Sequence, residues 1–278
     1  MPADTRATRS SPAIDNTDWL KFVAIVMVSI DHFGFFFVEN DEWWSVLGRL
    51  AAPVFFFLMG FAKSRTVPFR WIWLGVILTL LESWNANWSW ATPNILLSFV
   101  LIRILRPYVQ TLLLKYSWIA FILLVSAFLA MLPFATPMFD YGMEGWLWAM
   151  FGLCQRIHVD SVSSVGKHKE VQTPNPLRGK ITDTALMRLI ACLIAASIYV
   201  WQEQLEFEFS QIPLASCIFG VSIVSSILIF FRRGPSDIQP PQPIAQVLRF
   251  TGRHTLEIYA IQLGGFELIV KFLPDLAV

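Results

Sequence analysis

FSQIPLASCIFGVSIVSSILIFF, residues 209–231, runs 23 positions without an Asp, Glu, Lys, Arg or His. A helix that crosses a bilayer needs about 20 mostly apolar residues, so this stretch alone is long enough to span. Residues 116–139, YSWIAFILLVSAFLAMLPFATPMF, are equally free of charge. Windows poor in charge recur at 19–38, 43–62, 69–86, 93–107, 142–157, 185–202 and 254–273. The whole chain of 278 residues agrees with them: 55% hydrophobic, only 15% charged, mean hydropathy +0.56. A soluble domain carries nearer a quarter charged residues. The composition therefore excludes a water-soluble globule, and with it a disordered chain, a coiled coil, a collagen-like repeat and a disulfide scaffold. Cys154, Cys192 and Cys217 all lie in apolar stretches, where a reduced thiol packs as a small hydrophobe. Neither a metal site nor a disulfide is expected. A net charge of +1 gives no reason to expect nucleic acid or another polyanion as partner.

The charges that remain are sorted. Cytoplasmic loops carry excess Lys and Arg, and 19 of the 21 basic residues fall in the tail and in every second loop, Arg49 and Lys271 being the exceptions. The opposite loops are acidic or aromatic: Glu39, Asp41 and Glu42, then SWNANWSW at 83–90, then Asp140, then Glu203, Glu206 and Glu208. This alternation predicts an all-α, polytopic transmembrane helix bundle of about nine spans, N-terminus cytoplasmic and C-terminus extracytoplasmic. Residues 1–18 read as a retained polar cytoplasmic tail, because they lack an apolar stretch followed by a small-residue cleavage site. Residues 19–278 read as a single transmembrane domain, with 158–184 a cytoplasmic loop. That loop and PSDIQPPQP at 235–243 have the composition of flexible connectors. The basic face would attract anionic headgroups or a phosphorylated cofactor. No solenoid or inverted repeat is visible.

An ionisable group inside a span costs at least ~2.5 kcal/mol on insertion scales, which makes each one a functional candidate. The first span carries Asp31 and His32 and the second carries Arg49. At ~1.5 Å per residue, Asp31 lies roughly 10 Å below the end of its span and Arg49 roughly 9 Å below the start of its own. The loop between them is only four residues, ENDE, so the helices are antiparallel neighbours and the three residues converge. Adjacent helical positions diverge by about 100°. Asp31 is thus expected to pair with Arg49, either as a helix-locking ion pair or as part of a site, while His32 faces a separate partner or an open cavity. A neutral imidazole is the best general base available there. Glu82, Asn85, Asn87 and Asn94 lie near Trp84, Trp88 and Trp90, which fit an interfacial belt or a binding cage. The last span carries Glu257, Tyr259, Gln262 and Glu267. Glu257 and Gln262 roughly share a face, and Gly264-Gly265 would permit close helix approach. Arg253 and His254, at its inner end, suit solvent or a phosphate.

Several blocks carry a family resemblance: DWLKFVAIVMVSIDH at 18–32, LGRLAAPVFFFLMGFAKSR at 47–65, PNILLSF at 93–99, YGMEG at 141–145 and RHTLEIYAIQL at 253–263. Together they resemble the TraX proteins, membrane proteins associated with N-terminal acetylation of conjugative pilin. That family in turn looks like a distant relative of multi-span acyltransferases that pass acetyl from cytoplasmic acetyl-CoA to an acceptor across the membrane. The family's last span commonly reads Tyr-x-x-His, where this chain has Tyr259 followed by Gln262, so Gln262 does not supply that proton chemistry. The resemblance implies a multi-pass protein of the bacterial inner membrane that uses acetyl-CoA as co-substrate and no metal. Its acceptor would be a pilin-like N-terminus or another exported amine or hydroxyl. His32, Asp31 and Arg49 are the expected catalytic group. Lys63, Arg65, Arg70, Arg253 and His254 are the expected CoA contacts, and Asn94, Tyr141, Glu257, Tyr259 and Gln262 the expected acceptor contacts. Two rivals belong to other classes: a proton-coupled transporter or channel with a relay through Asp31, Arg49, Glu257 and Glu267, and a non-catalytic pilus or envelope assembly factor.

Overall fold

The computed structural model describes residues 13–38, 41–64, 66–88, 92–136, 138–167 and 176–273. Arg65 and most of the 1–18 tail lie outside the described residues. The described residues form helices α1 (Asn16–Phe37), α2 (Glu42–Gly48), α3 (Ala51–Phe61), α4 (Phe69–Asn85), α5 (Ile95–Ala135), α6 (Gly142–Lys167), α7 (Pro176–Phe207), α8 (Gln211–Phe230) and α9 (Gln242–Phe272). Among the described residues, five helical stretches are long and apolar enough to cross a membrane: Asn16–Phe37, Glu42–Phe61, Ile95–Ala135, Thr182–Phe207 and Gln211–Phe230.

All 11 residues of α3 are buried. A helix that is apolar all round belongs in the interior, and α3 accordingly packs against α1, α5, α6 and α8. Its contact with α6 is close because glycines oppose backbone: a Cβ on Gly60 would overlap the Ala149 carbonyl, and one on Gly152 the Phe57 carbonyl. Small residues let helix backbones approach in this way. Gly264 and Gly265, expected to serve the same purpose, do not: Gly265 faces open space, and a Cβ on Gly264 would make only ordinary contact with Leu78.

The window 43–62 is two helices rather than one. Pro53 has no N–H to offer the Arg49 carbonyl one turn earlier, and the chain turns at Arg49-Leu50 before α3 begins. The 41 residues of α5 would extend about 60 Å as a straight rod. Instead Asp140 N–H donates to the Pro93 carbonyl at 3.3 Å, and Ser98 Oγ donates to the Asp140 carbonyl at 3.4 Å, so the two ends of α5 lie together. The reversal falls at Ser117, whose φ of 46° and ψ of −119° break the helix. Ile102 and Phe128 then line one small cavity from opposite arms.

Other boundaries differ from the sequence reading. α1 starts at Asn16 rather than residue 19, because Asp15 caps it and the Asp18 carboxylate in turn accepts from the Asp15 N–H. The expected loop 158–184 is largely helical: α6 runs on to Lys167, helped by an Arg156–Asp160 pair one turn apart, and α7 begins at Pro176. The 235–243 linker is not a free connector. Asn16 N–H donates to the Gly234 carbonyl at 3.0 Å, Ser236 N–H to the Ile14 carbonyl at 2.8 Å, and Arg233 pairs with Asp15. α9 begins at Gln242, ahead of the apolar window 254–273, and kinks at His254. Its first arm packs Ala245 and Leu248 on Ile14, Trp19 and Phe22 of the α1 region.

Candidate functional site

The α2–α3 break puts Arg49 in the interior. Its Nη1 donates to Tyr141 Oη at 3.1 Å, and its Nε lies 3.8 Å from Asp31 Oδ1 and 3.6 Å from Glu203 Oε2. The guanidinium carbon sits 4.3 Å from the Phe207 ring centroid, within cation–π range. The carbonyl that Pro53 leaves unpaired accepts from Tyr199 Oη at 2.6 Å. Three elements therefore hold one residue of the α2–α3 turn: α1 through Asp31, the start of α6 through Tyr141, and α7 through Tyr199, Glu203 and Phe207. Asp31 sits under Gly48, where any Cβ would overlap its side chain.

Asp31, His32 and Arg49 line a common cavity of about 260 Å³, together with Tyr141, Tyr259, Asp140, Glu82 and Glu267. His32 Nδ1 is buried without a hydrogen-bond partner, and its ring centroid is 5.4 Å from that of Tyr259. Tyr259 is backed in turn by Asn94, whose Nδ2 lies 3.3 Å from Tyr259 Oη and 3.2 Å from Glu82 Oε1. Asp140 is in the turn between α5 and α6; burial pushes its carboxyl up to about 6, with Arg49 pulling the other way. The expected catalytic group is thus gathered on one cavity, with Tyr141 and Tyr259 on its wall and Asn94 one layer behind.

A second cavity of about 240 Å³ opens between the start of α1, the end of α3, the start of α4 and the kink of α9. Lys21, Lys63, Arg70, Arg103, Arg233 and Arg253 line it, against one carboxylate, Glu257. Glu257 is occupied by an ion pair with Arg70, and Lys63 Nζ lies 3.8 Å from Asp160. Phe55 and Leu256 line both cavities, so the basic chamber and the His32 chamber stand back to back.

Three expected contacts are placed elsewhere. Glu257 belongs to the basic chamber and not, as an acceptor contact, to the His32 chamber. Gln262 does not share its surroundings: it bonds the side chain of Ser29 at 2.9 Å and donates to the Ser29 carbonyl at 3.3 Å, bracing α9 on α1. Five helical positions separate the two residues by more than a turn, enough to point them at different neighbours. His254 is not on the chamber wall; it sits at the kink with its ring 4.9 Å from Phe250. Arg65 is outside the described residues. Of the aromatic loop, Trp84 packs under Lys271 Nζ at 5.0 Å and against Phe272, and Asn85 bonds Glu267.

Sequence reasoning missed Glu203, read as an outer-loop acid although it is 1% exposed. Tyr199, Glu203 and Phe207 recur at every fourth position, the spacing of one helix face, and that spacing was the available signal. Glu144, buried in the first turn of α6 with Oε2 unpartnered, was also missed as a site neighbour. Among the described residues no group of three or more His, Cys, Asp or Glu is arranged to hold a metal ion.

A stretch of 99 residues, 34% of this chain, is 28% identical to Protein TraX of Escherichia coli, and the match spans 40% of that protein's length. No solved structure matches significantly. The family model described as TraX protein matches residues 16–161, over half of the chain, including Asp31, His32, Arg49, Asn94 and Tyr141. This chain belongs to the TraX family.

Proposed function

We propose that this protein is an integral-membrane acetyltransferase that takes acetyl from acetyl-CoA in the basic chamber and delivers it to an amine or hydroxyl acceptor in the His32 chamber. The observation that carries the reading is the pair of chambers meeting at Phe55 and Leu256. Six cations with one committed carboxylate suit the phosphates of CoA. An imidazole with a free ring nitrogen, beside a firmly held guanidinium, suits acyl transfer.

In this mechanism His32 accepts the proton of the attacking amine or hydroxyl as its lone pair adds to the thioester carbonyl. The carbon–sulfur bond breaks as the carbonyl re-forms, and the proton passes from His32 to the departing CoA sulfur. Arg49 faces the negative charge that develops on the carbonyl oxygen. Asp31, Glu203 and Tyr141 position Arg49, and Tyr259 packs on the His32 ring. Lys21, Lys63, Arg70 and Arg253 hold the nucleotide end.

The same reading gives the membrane arrangement: nine passes, the two arms of α5 counting separately, with the basic chamber on the cytoplasmic side of a bacterial inner membrane. The acceptor then arrives from the opposite side, and an exported pilin-like N-terminus is the acceptor that family membership suggests. A proton relay through Asp31, Arg49, Glu257 and Glu267 has less support, because Glu257 is paired with Arg70 in the other chamber.

The test is purified protein in detergent with radiolabelled acetyl-CoA and a short peptide bearing a free N-terminus. Label is expected in the peptide, and His32→Ala is expected to lower the rate by about 10²–10⁴ while still binding acetyl-CoA. Folded protein that fails to bind acetyl-CoA, or His32→Ala protein with an unchanged rate, would overturn the proposal.

A further inference from the structure

A separate cavity, of about 300 Å³, lies between α6, α7 and the end of α8 and shares no lining residue with the basic chamber or the His32 chamber. Among the described residues its polar wall is Gln155, His158, Ser163, Arg188 and Arg232, with no carboxylate. The wall is built. Gln155, 1% exposed, donates to the Phe231 carbonyl at 2.9 Å and accepts from Arg188 Nη1 at 2.8 Å. The same Nη1 donates to the Ile229 carbonyl at 2.9 Å. These bonds satisfy carbonyls at the C-terminal end of α8, which would otherwise repel an anion. Arg188 Nε remains buried without a partner. His158 Nδ1 is engaged by Thr184 Oγ1 at 3.1 Å, which orients the ring. Burial first, then the positive field of Arg188 and Arg232, holds the His158 imidazole down at about 4.

The apolar surroundings point to the rest of the ligand. Phe230, 79% exposed, lines the cavity and ends a stripe of exposed residues, Phe219, Ile223, Ile227 and Phe230, on one face of α8. A phosphate in the cavity with hydrocarbon along that stripe is the shape of a membrane lipid.

We infer that this cavity binds the phosphodiester of an anionic phospholipid, with Arg188 and Arg232 on the phosphate and the acyl chains along the exposed face of α8. A guanidinium pair matches phosphate oxygens, and the described wall, which carries no carboxylate, offers a choline or ethanolamine head only positive charge. The site does not depend on acetyl transfer and would be present in a protein without turnover.

Native mass spectrometry of the detergent-purified full chain tests it, titrating phosphatidylglycerol against phosphatidylcholine and, separately, inorganic phosphate. Wild-type protein is expected to retain one phosphatidylglycerol in preference to phosphatidylcholine. Arg232→Gln, which removes a solvent-exposed side chain and no brace, is expected to weaken phosphatidylglycerol retention about tenfold, the change that 1.4 kcal/mol produces. Arg188→Lys keeps the charge but loses the fork, and should weaken it too, with melting temperature read in parallel to confirm folding. Lys115→Gln removes one basic charge that does not line the cavity and should change nothing. Equal retention of the two lipids, an Arg232→Gln protein like wild type, or equal loss in Lys115→Gln would overturn the inference. So would inorganic phosphate displacing phosphatidylglycerol at comparable concentration, which would assign the cavity to a soluble anion.

Discussion

Tyr199→Phe removes one oxygen and leaves the ring. The Tyr199 hydroxyl donates to the Arg49 carbonyl at 2.6 Å, and Pro53 occupies the position whose N–H would normally close that helical turn. A buried carbonyl left unsatisfied costs about 1–3 kcal/mol, more than the net worth of an ordinary hydrogen bond. Tyr199 is 1% exposed, so water is not at hand to replace the hydroxyl. The loss should therefore fall at the upper part of that range. The companion variant is Pro53→Ala, which restores an N–H one turn beyond Arg49 and lets the backbone satisfy its own carbonyl. In that background Tyr199→Phe should cost only a few tenths of a kcal/mol, giving a coupling of about 2 kcal/mol between two positions 146 apart in sequence. Reversible unfolding of the four proteins in mixed micelles, followed by tryptophan fluorescence, measures the cycle. Equal cost of Tyr199→Phe in both backgrounds would refute the assignment of that carbonyl to Pro53 and Tyr199.

Arg49→Met should destabilise the protein by about 3–5 kcal/mol, since it strands the carboxylates of Asp31 and Glu203 in the interior, and adding Glu203→Gln should recover part of that loss in the same unfolding assay. Gly48→Ala forces a methyl group into the Asp31 side chain and should cost about 1–3 kcal/mol, with transfer activity falling alongside, whereas Gly265→Ala, which meets open space, should be close to neutral or slightly stabilising. Arg253→Gln together with Lys21→Gln should raise KM for acetyl-CoA about tenfold with kcat little changed, because these side chains contribute binding that is the same before and during reaction; a fall in kcat at unchanged KM would move them out of the nucleotide end.

Windows poor in charge are a direct physical signal, so most helices, and even the reversal inside α5, were legible as 93–107 followed by 116–139. The convergence of Asp31, His32 and Arg49 was legible too, from equal depth and a four-residue loop. What stayed hidden was whatever hydropathy does not encode. Ending the seventh span at residue 202 put Glu203 in an outer loop, because a carboxylate reads as a boundary unless its partner is known. The polar continuation of α6 past His158 is held by i,i+4 pairing rather than apolar content, so it looked like a connector. The α2–α3 break depends on one missing N–H at Pro53 inside an otherwise apolar run. Gln262 and Glu257 have similar spacing from Tyr259, and only the packing of α9 on α1 separates the Ser29 brace from the basic chamber.

Transfer between the two chambers is tested most directly in sealed vesicles of known orientation, with acetyl-CoA confined to one side and a peptide with a free N-terminus confined to the other. Acetylated peptide is expected only when acetyl-CoA is on the side of Lys63 and Arg253 and the peptide is on the side of Tyr141, and it should vanish in His32→Ala vesicles that still bind acetyl-CoA. Product that forms only when both reactants share a side, or that persists without His32, would contradict a reaction in which back-to-back chambers pass an acetyl group through the bundle.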